Sequence, residues 1–453
     1  MSTHVLSPER NLHAQAEDKT VSCNERGFER KMRLHYGVNQ ADQCWDFALG
    51  EQREIIWQRL RDIDTRLVRI FLFDKGGPDP VCEWGVFASY VQAVLNIGAT
   101  PMITFAKLHR PLNDPRAVRW FANQCADVVW SCIEQWGGEV VRDWYWCVWN
   151  EPNNAWISGP VSFEQYRRIY EEVAQRIVHW LSPYLGGKKP LVGGPAVEGF
   201  QPFWWDWPWR FVNEIDNSLI GFADWHRYAD WRDAGENGAP QDETNYRALI
   251  MSQAPDYELR SRAIAELLRG RDILNICGEL NTHSHYTEPV RARFNQSIFG
   301  ATFYTAALLH LMRGEAYAEM FWTGTEDRGG YGMMNRHGEP WPVFHAKKLC
   351  AQYIRHGDWI SFPMERNGNP AVDAVVARGE DGQGSALFVH LQDKAASYAV
   401  SDLTDSRADY QSLLKIDDGT GNRIVEMAFK KTISFEGYGV VVVTTKEPKV
   451  RKA

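Results

Sequence analysis

One alternation constrains this chain more than any other feature. Short runs rich in β-branched and aromatic residues are followed, eight times over, by longer stretches of helical periodicity. The runs are HYGVN (35–39), LVRIFLF (67–73), TPMITFAK (100–107), DWYWCVW (143–149), PLVGGPAV (190–197), GFADWHRY (221–228), LNICGELN (274–281) and AEMFWTG (318–324). Several are nearly continuous in apolar character, as strands covered on both faces must be. The stretches between them carry helix punctuation. Asp114 before Pro115 is an N-cap with proline at the first helical position, and Val118, Ala122, Cys125, Val129 and Ile133 then recur at helical spacing. Ser162 and Gln165 make a capping box, and Gly270, Gly314 and Gly357 stand where later helices should stop. This pattern predicts an α/β fold, a (β/α)8 TIM barrel over residues 31–357, with a doubly wound open sheet as its rival.

From residue 358 the texture changes. VDAVVARGE, GSALFVHLQD and EGYGVVVVTTK are strand-like runs separated by turn residues, which predicts a small β-sandwich over 358–447 and a short tail over 448–453. The polar start, residues 1–30, has no apolar signal-peptide core and is expected to be a disordered tail. No apolar run is long enough to span a bilayer. Eight cysteines are scattered without a CxxC pair, and Cys147 and Cys277 fall inside predicted strands, so a reducing, cytoplasmic setting is expected. The formal charge of −8 argues against nucleic acid or an anionic membrane surface as a partner. Twenty tryptophans are unusual, and flat aromatics suit the C–H faces of sugar rings.

In such a barrel the chemistry collects at the C-terminal ends of the strands. The second strand carries Arg69, the third leads to Lys107 and His109, and the fourth ends in Asn150 and Glu151. The sixth carries His226 and Tyr228, the seventh Glu279 and the eighth Trp322. Two carboxylates thus face each other across a closed mouth beside aromatic residues, which is what glycosidic cleavage needs. Glu151, following Trp146 and Trp149, is expected to lie against aromatic walls and stay protonated; Glu279, within reach of Arg69 and Tyr228, is expected to stay ionised. Taken singly, each residue has a plainer role as a rim acid, ion-pair partner, core histidine or packing ring. Phosphate-loop and nucleophile-elbow motifs are missing. His283 and His285 are spaced by two in a loop and are expected to meet hydroxyl groups, so no metal or other cofactor is expected.

WNEP after the fourth strand, a glutamate ending the seventh, HRY on the sixth and Trp322 on the eighth resemble clan A of the glycoside hydrolases. GVN on the first strand, WNEPN, GGPA on the fifth and DWHRY on the sixth are most similar to glycoside hydrolase family 39, which includes β-xylosidases and α-L-iduronidases. The resemblance implies a retaining glycosidase, with Glu151 as general acid/base and Glu279 as nucleophile. It further implies that Asn150 binds the sugar 2-hydroxyl, Tyr228 holds the nucleophile, His226 bridges toward the acid/base and Trp322 floors the cleaved sugar. Arg69 and His109 join the substrate-binding set by their strand-end positions.

Two loops depart from the family pattern: FQPFWWDWPWRF after the fifth strand, and 229–245 after the sixth. Trp204, Trp205, Trp207 and Trp209 are expected to wall a blind pocket that favours exo action. The expected function is therefore a xylosidase-like retaining β-glycosidase acting on an oligosaccharide or glycoside. An endo-acting enzyme on a bacterial polysaccharide and a catalytically silent carbohydrate-binding barrel are the alternatives.

Overall fold

A computed structural model describes residues 20–22, 30–40, 44–73, 83–199, 204–230, 243–284, 294–325, 330–363, 371–401 and 410–445. Eight strands form the centre: β1 (His35–Asn39), β2 (Leu67–Leu72), β3 (Thr100–Phe105), β4 (Tyr145–Val148), β5 (Val192–Val197), β6 (Phe222–Asp230), β7 (Leu274–His283) and β8 (Ala318–Phe321). Each pairs in parallel with the next, and β8 closes on β1. Closure removes the open-sheet rival.

Alternation along the strands sorts the side chains. On β4, Tyr145 and Cys147 join Leu67, Met102, Phe222, Ile276 and Met320 inside the barrel. Trp146 and Val148 point the other way and pack into the main core between barrel and helices. The predicted caps form. The Asp114 side chain accepts from the Arg116 N–H ahead of helix Pro115–Trp136, and both bonds of the Ser162–Gln165 capping box are present on helix Phe163–Leu181.

Two irregularities re-aim the barrel rim. Opposite Trp225 and His226 of β6, strand β7 carries one extra residue, Gly278, between Cys277 and Glu279. A bulge of this kind turns the next side chain, and it brings Glu279 back toward the barrel axis. After β4 the chain enters the left-handed region at Trp149 (φ 80°) and Glu151 (φ 48°). That conformation costs a residue with a Cβ of order 1 kcal/mol or more. Three backbone hydrogen bonds hold it: Trp149 to Phe105, Asn150 to Ala106 and Glu151 to Ala196.

The C-terminal region is built as two stacked sheets. Seven strands run in the order Val425–Ala428, Ser412–Asp417, Gly439–Thr444, Gly384–His390, Val372–Arg378, Trp359–Ser361 and Arg30–Lys31. A three-stranded sheet of Thr20–Ser22, Ala396–Ser401 and Thr432–Phe435 covers one face. Val441 and Val443 meet Tyr398, Ile433 and Phe435 between the sheets, while Val440 and Val442 pack into the barrel-side core. The apolar run is therefore buried on both faces. The boundaries differ from expectation at the start of the chain: Thr20–Ser22 pairs with Ala399–Ser401, and Arg30–Lys31 with Trp359–Ile360. Residues read as a polar tail thus complete both C-terminal sheets; residues 1–19 and 446–453 lie outside the described set. Among the described residues, no helix is long and apolar enough to cross a membrane.

Candidate active site

The strand ends converge on Arg69. Its guanidinium is 0% exposed and uses each of its nitrogens. Nε donates to Thr104 Oγ1 (2.9 Å), Nη1 to Glu279 Oε1 (2.7 Å) and Nη2 to Asn150 Oδ1 (2.9 Å). Nη1 also lies 3.3 Å from His226 Nε2. Arginine only donates, so His226 Nε2 accepts and the ring proton sits on Nδ1, 2.9 Å from Glu151 Oε1. Burial lowers the His226 pKa and keeps the ring neutral. Asn154 Nδ2 donates to the other Glu151 oxygen (2.9 Å), and the Tyr228 hydroxyl donates to Glu279 Oε2 (2.7 Å).

The donor atoms of Glu151, His226 and Glu279 all lie within 4.8 Å of one another. Such a group has the spacing to bracket a cation, but Arg69 already supplies one at 2.7 Å from Glu279. A second cation would meet it at short range.

The two carboxyls are held differently. Burial pushes Glu151 up to about 7, against the opposing pull of Asn154 and Arg69. Burial raises Glu279 too, opposed by the charge of Arg69 and the Tyr228 hydrogen bond. Among the described residues Glu279 has a direct cationic partner, Arg69, and Glu151 has none, which favours the charge on Glu279 over Glu151. Arg69 stays protonated: burial works against its charge, but Asp224 and Glu279 outweigh that.

The aromatic surroundings differ from expectation. Trp146 stacks on Phe105 and Trp149 packs edge-on against Phe121; Trp149 also donates to Ser158. Both rings are spent on the helix side of the barrel, so burial rather than an aromatic wall raises Glu151. The aromatic cluster lies nearer Glu279, where Trp322, Tyr228 and Tyr331 pack together with Phe71.

Other sequence expectations also change. Arg69, grouped with the substrate-facing residues, is fully buried and bonded to Glu279 and Asn150. His109 bonds the Phe73 carbonyl (2.6 Å), away from the carboxyl pair. His283 is buried beside Tyr331 rather than on the rim, and His285 lies outside the described residues. Trp205 directly precedes helix Asp206–Glu214, which contains Trp207 and Trp209. Trp207 packs on Phe163 and Tyr166, Trp204 lies beneath Arg260, and Trp209 is 47% exposed. The helix thus turns Trp207 into core packing and leaves Trp209 toward solvent. Of the loop at 229–245, residues 231–242 lie outside the described set.

Three contributors escape a reading of strand ends. Thr104 and Asp224 look like strand interior, and Asn154 looks like a turn residue after proline. Only the alternation of β6, which puts Asp224 on the same face as His226, signals one of them in advance.

No protein-family model matches the chain. A β-xylosidase of Geobacillus stearothermophilus is 26% identical over 280 residues, 58% of this chain and 50% of that protein. A family 39 β-xylosidase structure from Caulobacter crescentus superposes with a TM-score of 0.62 at 15% identity, covering 95% of this chain and 99% of the other. The chain is similar to the glycoside hydrolases of family 39. A family 51 α-L-arabinofuranosidase from Bifidobacterium longum shares the fold too, with a TM-score of 0.67 at 13% identity over 95% of this chain and 99% of the other. The fold therefore extends beyond family 39. This family 39-like chain spans half the length of the Geobacillus relative it matches.

Proposed function

We propose that the chain hydrolyses a β-glycosidic linkage, xylosidic first among candidates, with retention at the anomeric carbon. The carrying observation is that each acid brings one oxygen within 4.8 Å of an oxygen of the other, a contact that supports a short carboxyl separation. Inverting enzymes keep their carboxyls about 6.5–9.5 Å apart to admit a water, whereas retaining ones need about 5–5.5 Å. Glu279 attacks the anomeric carbon and forms an ester. The glycosidic bond breaks toward the leaving oxygen, which takes the proton of Glu151. Glu151 then removes a proton from water as that water bonds the same carbon, and the ester's electron pair returns to Glu279. In this reading Asn150, whose Oδ1 accepts from Arg69, binds the 2-hydroxyl through its amide, and Trp322 lies under the sugar face.

The test is a panel of aryl glycosides of xylose, glucose, galactose, arabinose and glucuronate, with the product anomer followed by NMR. A β-configured product appearing first is expected from a β-glycoside. An α-configured first product overturns retention. Binding of sugars without turnover of any panel member leaves a carbohydrate-binding barrel instead.

The Asn154 bond gives a further expectation. Its N–H favours the Glu151 anion, so Asn154→Ala should raise the Glu151 pKa and move the alkaline limb of kcat/KM to higher pH. A limb that moves to lower pH, or stays in place, removes Asn154 from the control of the acid.

A further inference from the structure

Asp224 lies at the base of the site, one inward position before His226 on β6. Its Oδ2 is 3.8 Å from Arg69 Nη2 and 3.5 Å from Cys147 Sγ, and its Oδ1 is 3.9 Å from His226 Nε2. The side chain is wholly buried, and among the described residues Oδ1 has no hydrogen-bond partner. A Cβ at Gly278 would stand 2.0 Å from that oxygen, so the bulge that aims Glu279 also makes room for this carboxylate. A buried acid left short of hydrogen bonds is costly, and its charge is answered by one guanidinium that Glu279 already shares.

We infer that Asp224 is a positioning residue, the permanent counterion of Arg69 through the double displacement. This deepens the retaining mechanism proposed above and rests on it. Before reaction, Arg69 faces two carboxylates, Glu279 and Asp224, while Glu151 holds a proton. When Glu279 becomes an ester its charge disappears, and Glu151, having given up its proton, becomes the anion on the far side of His226. The charge at Glu279 is consumed in each cycle, but the charge at Asp224 is not. Without Asp224, the buried guanidinium would face the neutral ester with no carboxylate against it, and a lone buried cation is strongly disfavoured. In the free enzyme Arg69 would instead bind Glu279 as its sole counterion, making that carboxylate less available to attack.

The groups facing this pair come from several strands. Arg69 comes from β2, Cys147 from β4, Glu151 from the turn after it, and His226 and Tyr228 from β6. Cys277 of β7 and Tyr166 of the helix Phe163–Leu181 also sense the Asp224 charge.

The experiment is Asp224→Asn, which keeps shape and removes charge, with kcat/KM on dinitrophenyl xyloside (or the best panel glycoside) followed against pH. Removing a neighbouring negative charge favours ionised Glu279, so the acid limb should move to lower pH, and kcat/KM at the optimum should fall about tenfold, the scale a nearby charge exerts on a buried carboxylate. A folded variant whose acid limb stays in place overturns the inference, whatever its rate. A second variant, Asp224→Asn with Cys147→Asp, returns a carboxylate from the side chain that touches Asp224. Its acid limb should return toward the wild-type position, and a limb still displaced overturns the inference. If neither variant folds, Asp224 serves the fold alone and the inference falls. Wild-type protein without turnover fails the proposed function itself, a result distinct from a working enzyme with an unmoved limb.

Discussion

Glu279→Ala is expected to abolish turnover of activated aryl glycosides, by roughly five orders of magnitude, the scale on which loss of a nucleophile acts. Azide or formate should then restore part of the rate. The shortened side chain leaves space beside the anomeric carbon, and a small anion entering it attacks where the carboxylate would have done. With Glu151 still present to protonate the leaving group, the product is a glycosyl azide or formate ester of inverted configuration. The geometry behind this is specific: Arg69 and Tyr228 each hold one oxygen of Glu279 at 2.7 Å, so the carboxylate enters the reaction already oriented. Wild-type rates in this variant would remove Glu279 from the mechanism.

The second large effect divides by leaving group. Glu151→Ala should lose about a hundredfold to ten-thousandfold on unactivated linkages, whose departing oxygen needs a proton, and little in the first step on a dinitrophenyl glycoside. The pH profile supplies an independent readout. Burial places the wild-type acid at about 7, so activity on unactivated substrates should fall as pH rises through that value, when the required proton is lost. The alanine variant has no such acid, and its alkaline limb should vanish. Equal losses on both substrate types with the limb retained would make Glu151 a structural residue.

Much of this architecture is legible in the sequence because barrel strands are buried on both faces and their apolar runs are hard to mistake. HYGVN matches β1 residue for residue, and the other seven runs overlap their strands. Glu151 is legible for a related reason, since it follows directly on an apolar run; Glu279 stands inside its strand, and the run alone does not say which face it takes. The missed features depend on contacts that no local pattern carries. Gly278 reads as an ordinary strand glycine, yet it is the bulge that turns Glu279 and accommodates Asp224. Trp207 reads as part of an aromatic loop, but helix Asp206–Glu214 directs it onto Phe163 and Tyr166. Trp146 precedes the acid by five positions, and strand alternation sends its ring to the opposite side of the barrel wall.

The pairing of Arg30–Lys31 with Trp359–Ile360 has a consequence in time. During synthesis the early segment emerges long before its partner strand exists. At roughly 5–20 residues per second, the interval is on the order of a quarter of a minute to a minute. Through that interval the barrel strands can find one another in order, each beside the strand just made. The segment at 30–31 must meanwhile remain unpaired, and Thr20–Ser22 must wait longer still for Ala399–Ser401. The earliest of the described residues to be made are thus among the last to reach their places.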